Sequence, residues 1–247
     1  INVSRITEDW KINLRGNMNR SENKFIIDDT TTITGINTSE SFNALIVKSI
    51  NEHWSFGGSI SLRKSSYSNQ ELTYSLMPAI EYDVFPYSES TRRQLRILYT
   101  AGFTYANYMD STIYDKTREN LWQHSLSASY EVVKKWGSID IGIEYSNYLH
   151  DWSKNNLSIF SYLNLRIVKG LTLTLVGSAA MVHDQLNLVK EDIPVDQILL
   201  QRKELATQFE YFTSFGFTYT FGSIYNNVVN PRFGNTGGGG ISISISE

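Results

Sequence analysis

Leu205 to Gly222 reads LATQFEYFTSFGFTYTFG. Large apolar or aromatic residues stand at Leu205, Phe209, Tyr211, Phe215, Phe217, Tyr219 and Phe221. Between them lie Ala206, Gln208, Glu210, Ser214, Gly216, Thr218, Thr220 and Gly222. A period of two gives a single strand one apolar face and one polar face. The run is longer than the roughly 5–6 residues usual for strands in soluble sheets. It is long enough for a tilted strand to cross a bilayer, which takes about 9–11 residues. This stretch therefore predicts a transmembrane β-strand.

The same pattern repeats upstream. Trp10, Ile12, Leu14, Gly16 and Met18 alternate with Lys11, Asn13, Arg15, Asn17 and Asn19. Further alternating runs start near Ser41, Trp54, Leu72, Leu95, Trp122, Ile139, Leu157 and Leu171. The faces of Ser41–Ser49 are poorly distinguished, and Pro78 lies inside the fourth run, where it must cost a ladder bond or force a bulge. Ile1–Ile6 looks like the end of an earlier strand.

The prediction is an all-β, antiparallel, up-and-down transmembrane barrel. About ten strands lie in this chain, and about twelve in a longer parent. Residues 1–9 read as the end of a preceding strand and a periplasmic turn, residues 10–222 as the barrel, and residues 223–247 as a periplasmic tail. Short connections fall at 50–53, 134–137 and 168–170, with a longer turn at 85–93. Long ones fall at 28–39, 107–120, 147–156 and 184–203, and Val195–Leu205 suits a helical turn. Short turns at one end and long loops at the other fit outer-membrane barrels. Aromatic residues should mark the two interfaces: Trp10, Trp54, Tyr82, Trp136 and Phe221 at the short-turn end, Trp122 and Trp152 at the loop end. The tail holds the spacer Gly237–Gly240 and the alternating ISISISE, Ile241–Glu247, which suits addition to an open sheet edge or a partner.

Composition agrees. The 247 residues are 41% hydrophobic and 13% aromatic, with 4 Pro, and the formal net charge is -3. That charge disfavours a nucleic-acid partner. A mean hydropathy of -0.27 is compatible with a barrel, whose lipid face is diluted by alternate polar residues. No apolar run reaches the ~18 residues of a transmembrane helix. With 0 Cys there is no disulfide framework, thiolate metal site or cysteine nucleophile.

EDWKI (Glu8–Ile12), FPYSESTRRQLR (Phe85–Arg96), HDQL (His183–Leu186), ELAT (Glu204–Thr207) and YTFGSIYNNVVNPRFG (Tyr219–Gly234) carry a resemblance. With these blocks the chain resembles a family of outer-membrane β-barrel proteins of Bacteroidota-type Gram-negative bacteria. The resemblance implies location in the cell outer membrane and a non-barrel segment upstream of the barrel. It brings no activity and no functional residues.

The polar face carries the charges. Lys11, Arg15, Arg63, Arg96 and Arg166 share it with Glu81, Asp83, Glu131, Asp140, Glu144 and Glu210. Buried charges need partners, so these predict an ion-paired network filling the lumen, with a narrow, weakly selective channel as the alternative. His150-Asp151 and His183-Asp184 stand near the loop end. Outer-membrane proteases of the omptin type use an Asp–His pair at the outer rim, which makes His150, Asp151 and Asp184 a weaker candidate for general-base hydrolysis. No metal or cofactor site can be specified from four scattered histidines. The expected role is a non-enzymatic scaffold or subunit of a cell-envelope complex. Its partners are outer-membrane lipid and other envelope proteins met through the loops or tail.

Overall fold

The period-two alternation becomes one continuous antiparallel meander. The computed structural model describes residues 1–26, 32–190 and 207–221; for Phe25, Ile26, Thr32 and Ile33 only the backbone is described. The strands are β1 (Asn2–Ile6), β2 (Trp10–Ile26), β3 (Thr32–Ser49), β4 (Trp54–Ser65), β5 (Gln70–Asp83) and β6 (Arg93–Tyr108). They continue as β7 (Arg118–Lys134), β8 (Gly137–Tyr148), β9 (Asp151–Val168), β10 (Leu171–Val182) and β11 (Phe209–Tyr219). All eleven lie in sequence order in one sheet, each antiparallel to its neighbours. No ladder joins β1 to β11, so both edges are open among the described residues.

Register converts the alternation of single strands into faces. Trp54, Tyr82, Ile97, Ala128, Ile143, Ile159, Ala179 and Tyr211 form one row across β4 to β11. The next row is Phe56, Ile80, Tyr99, Leu126, Tyr145, Leu157, Met181 and Phe209. This face is apolar, and most of these side chains are exposed. A one-residue slip in any ladder would exchange its faces, so the shared pattern fixes the register.

The polar face is concave. Asn187, five residues beyond the end of β10, donates from Nδ2 to the Ser68 carbonyl in the β4–β5 turn at 3.1 Å. On a flat sheet β5 and β10 would stand five spacings, or about 24 Å, apart. Five residues of chain reach at most about 17 Å. The sheet must curl for the bond to form, and the buried Thr104, Ala106, Tyr108 and Leu121, which share the face of Arg96, put the polar side inside the curl.

Several expectations change. Ile1–Ile6 does hold a strand, β1, with Asn2 opposite Arg15. The stretch expected as a loop at 28–39 is mostly strand: Thr32–Ser39 pairs residue by residue with Asn19–Ile26. Its polar text hides the pattern, but TITGINTS is rich in β-branched residues, which favour extended backbone. The expected long connection at 147–156 is only Leu149–His150, because β9 already begins at Asp151. Among the described residues, the opening stretch forms strand over Phe209–Tyr219. The expected helical turn at 195–205 falls on residues of which only Leu205's neighbours from Thr207 onward are described, so it lies outside the described residues, as does the tail from Gly222 on.

Pro78 acts as expected. The β5–β6 ladder runs through Leu76↔Phe103, lapses, and resumes at Ala79↔Thr100. Gly102 fills the lapse, and a Cβ there would stand 2.1 Å from the Leu76 carbonyl oxygen. The missing donor of the proline and the missing side chain of the glycine fit one another.

Candidate functional site: the concave face and its cap

Small residues, charged residues and a few large apolar ones share the middle of the concave face. One row runs Ser55, Glu81, Leu98, Ser127, Glu144, Ser158, Ala180, Glu210. Beside it run Asp83, Arg96, Ser129, Gly142, Phe160, Ser178 and Phe212. Serine, alanine and glycine leave a hollow of about 550 Å³ along β7 to β11, with Glu144 and Glu210 at its wall.

The structure places the charges expected for the lumen on this one face, and it separates them by sign. Lys11, Arg15 and Arg63 lie on β2 and β4; Glu131, Asp140, Glu144 and Glu210 lie on β7, β8 and β11. Glu81 and Asp83 meet Arg96 where β5 and β6 adjoin, with Asp83 directly opposite Arg96. Arg166 stands at the short-turn end and donates to the Lys135 carbonyl at 3.3 Å. Glu131 lies directly opposite Asp140, a like-charge pairing that opposes folding unless water or a cation separates the carboxylates. The ion pairs among the described residues lie elsewhere, at Lys24–Glu22, Arg93–Glu89 and Lys190–Asp115.

At the short-turn end a second pocket of about 320 Å³ gathers Lys11, Glu81, Asp83 and Arg96 under the 84–92 turn. That turn contains one 3-10 turn, Tyr87–Glu89. The Arg93 guanidinium lies over the Phe85 ring at 4.1 Å and donates to Glu89. This hydrogen bond holds the half-buried Glu89 carboxyl below the usual carboxylate range. The turn is tied to its neighbour by Tyr87 N–H donating to the Glu52 carbonyl at 3.2 Å.

The loop end is closed differently. Residues 183–190 fold over the concave face and meet the 109–117 loop and the 66–69 turn. Asn69 is 1% exposed. Its Nδ2 donates to the Asp110 and Asn187 carbonyls at 2.9 and 3.0 Å, and its Oδ1 accepts from Asp110 N–H at 2.8 Å. Asn69 has φ 52, a left-handed conformation that asparagine tolerates. Thr112, fully buried, bridges to Val189, and Ile113 N–H donates to the Leu188 carbonyl at 2.8 Å. Leu186 and Leu188 supply the apolar filling, with Leu121 and Tyr108 among the other buried residues. Sequence reading missed this cap. HDQL marked the segment, but its partners in the 109–117 loop and the 66–69 turn lie from 75 to 119 residues away and leave no local signal.

The hydrolase candidate does not assemble through hydrogen bonds. The Asp151 carboxylate accepts from Ser153 N–H and Oγ at 3.0 and 2.7 Å. Asp184 accepts from Asn156 Nδ2 at 3.3 Å. His150 lies 5.8 Å, ring to ring, from Tyr148. No group of three metal-ligating side chains occurs among the described residues.

The aromatic residues fall at the strand ends. Trp10 and Trp54 open β2 and β4, Trp136 sits in the β7–β8 turn, and Phe221 follows β11. Trp54 packs on Tyr82 at 4.7 Å. Trp152 and Trp122 lie toward the loop end and flank His124, which is 5.8 Å from the Trp152 ring. Against known proteins, no protein-family model matches this chain, and no curated protein matches it either.

Proposed function

We propose that the chain is the wall of a β-barrel in the bacterial outer membrane, non-enzymatic, and a scaffold or subunit of a cell-envelope complex. The observation that carries this reading is the convex face. Its apolar rows run unbroken across eight strands, from Trp54 to Tyr211. Soluble monomers rarely expose apolar patches larger than about 300–600 Å². Eight strands at about 4.8 Å spacing make a band near 38 Å wide, and several such rows exceed that limit. Lipid is the solvent that such a face suits, and closure into a barrel removes the open edges that lipid does not tolerate.

The cap supports a scaffold over an open pore, because loop residues fill the loop-side mouth of the concave face. Refolding into lipid vesicles, heat-dependent mobility on gels and planar-bilayer recording test the reading together. The expected result is a membrane-inserted, heat-modifiable species without unitary conductance steps. Regular steps would favour the narrow channel. A monodisperse chain that stays in detergent-free buffer and ignores vesicles would refute the membrane reading.

A further inference from the structure

The chamber at the short-turn end carries one more step, which does not depend on what covers the convex face. About 320 Å³ lies between the ends of β2 to β6 and the 84–92 turn, and small-molecule sites begin at about 300 Å³. Glu81, Asp83 and Arg96 line it half-buried; Lys11 and Glu8 line it exposed. Asp83 faces Arg96 across the β5–β6 ladder, yet none of these five side chains enters an ion pair among the described residues. Arg96 Nε is buried and has no hydrogen-bond partner among them. The surroundings are fastened by other groups. Gln94 Nε2 donates to the Ser90 carbonyl at 2.7 Å, and the His53 ring bonds the backbone carbonyl of Asp83, not its carboxylate, at 2.6 Å.

A charge withdrawn from water needs a partner. An anion alone would add negative charge beside Glu81 and Asp83, and a cation alone would leave Arg96 unanswered. A molecule carrying both signs answers all three. The Nε edge of a guanidinium offers two parallel N–H donors, the geometry that matches a carboxylate. We propose that this chamber binds a small zwitterion of the size of an amino acid or a dipeptide. Its carboxylate takes the Nε edge of Arg96, with Lys11 near the mouth, and its ammonium lies against Glu81 and Asp83. Ser49 and Ser55, also in the lining, supply neutral hydrogen-bonding groups.

The probe is the dipeptide alanylalanine at neutral pH, where it carries both charges. It is titrated by calorimetry into the folded full chain, in vesicles or in buffer according to where the chain folds. N-acetylalanine, which keeps only the carboxylate, and alaninamide, which keeps only the ammonium, are compared on the parent protein. The expected result is saturable binding of the dipeptide, with each single-charge analogue weaker by about tenfold or more, the loss of a charge-assisted hydrogen bond. Arg96→Gln and Glu81→Gln weaken dipeptide binding to a similar degree. Arg166→Gln, at the same end of the sheet but outside the chamber, leaves it unchanged. No heat from the dipeptide, equal binding of a single-charge analogue, or a loss in Arg166→Gln as large as in Arg96→Gln would overturn the inference. The analogue comparison needs no variant, so it decides even where Arg96→Gln does not fold. Dipeptide binding by a chain that ignores vesicles would uphold the chamber and remove the membrane reading; silence from an inserted chain would do the reverse.

Discussion

Ile143→Arg tests the assignment of the convex face to lipid. Ile143 is the seventh of the twelve residues of β8, flanked in its row by Ala128 and Ile159, and is 45% exposed. If water covers this face, an arginine there is a surface substitution, worth within about 0.5 kcal/mol. If lipid covers it, a mid-wall arginine costs about 2–4 kcal/mol. That lowers the folding equilibrium constant roughly 30- to 700-fold. With a denaturant slope of about 4 kcal/mol/M in guanidinium, the unfolding midpoint in vesicles falls by about 0.5–1 M. Ser158→Arg is the control. It lies on the adjacent strand but on the concave face, opposite Glu144 and beside a hollow of about 550 Å³. There the guanidinium keeps water and gains a carboxylate neighbour, so its midpoint should stay near that of the parent. Reversible unfolding followed by tryptophan fluorescence in vesicles reads both. Equal midpoints for the two variants would refute the assignment of the faces.

Two further outcomes follow from the loop end and from the ladder lapse. Asn69→Ala removes three hydrogen bonds of a buried side chain, at about 1 kcal/mol net each, and leaves a left-handed backbone that alanine resists. Hydrogen exchange should accelerate in 109–117 and 183–190 but not in β8; uniform protection would mean that the cap is not held through Asn69. Gly102→Ala drives a methyl against the Leu76 carbonyl and the Met77 sulfur, and overpacking of this kind costs about 1–3 kcal/mol. A lower guanidinium midpoint checks it, and an unchanged midpoint would mean that β5 and β6 separate freely at Pro78.

The strands were legible because alternation is a local property. A strand facing two different surroundings must write a period of two into its own residues, and Trp54–Leu62 or Ile139–Tyr145 shows this without help from its neighbours. Thr32–Ser39, the β3 side of the polar end of the β2–β3 hairpin, reads as loop in the sequence for the same reason. Where both faces meet polar surroundings the period fades, and only pairing with the opposite strand keeps the backbone extended. The charged face was legible too, residue by residue from Lys11 to Glu210. Its division into a basic side and an acidic side, and the facing carboxylates Glu131 and Asp140, needed the register between strands.

The cap and the curl belong to tertiary structure alone. Asn69 and Asn187 stand 118 residues apart, and nothing near either one announces the other. Their contact depends on how far five interstrand twists carry β10 back toward β5, a sum over half of the sheet. By itself the sequence determined which residues face apart on each strand, because side-chain direction alternates with the backbone. Only the three-dimensional structure decided which strands enclose the polar face, and how loops seal one end of it, because those depend on register and curvature accumulated between strands.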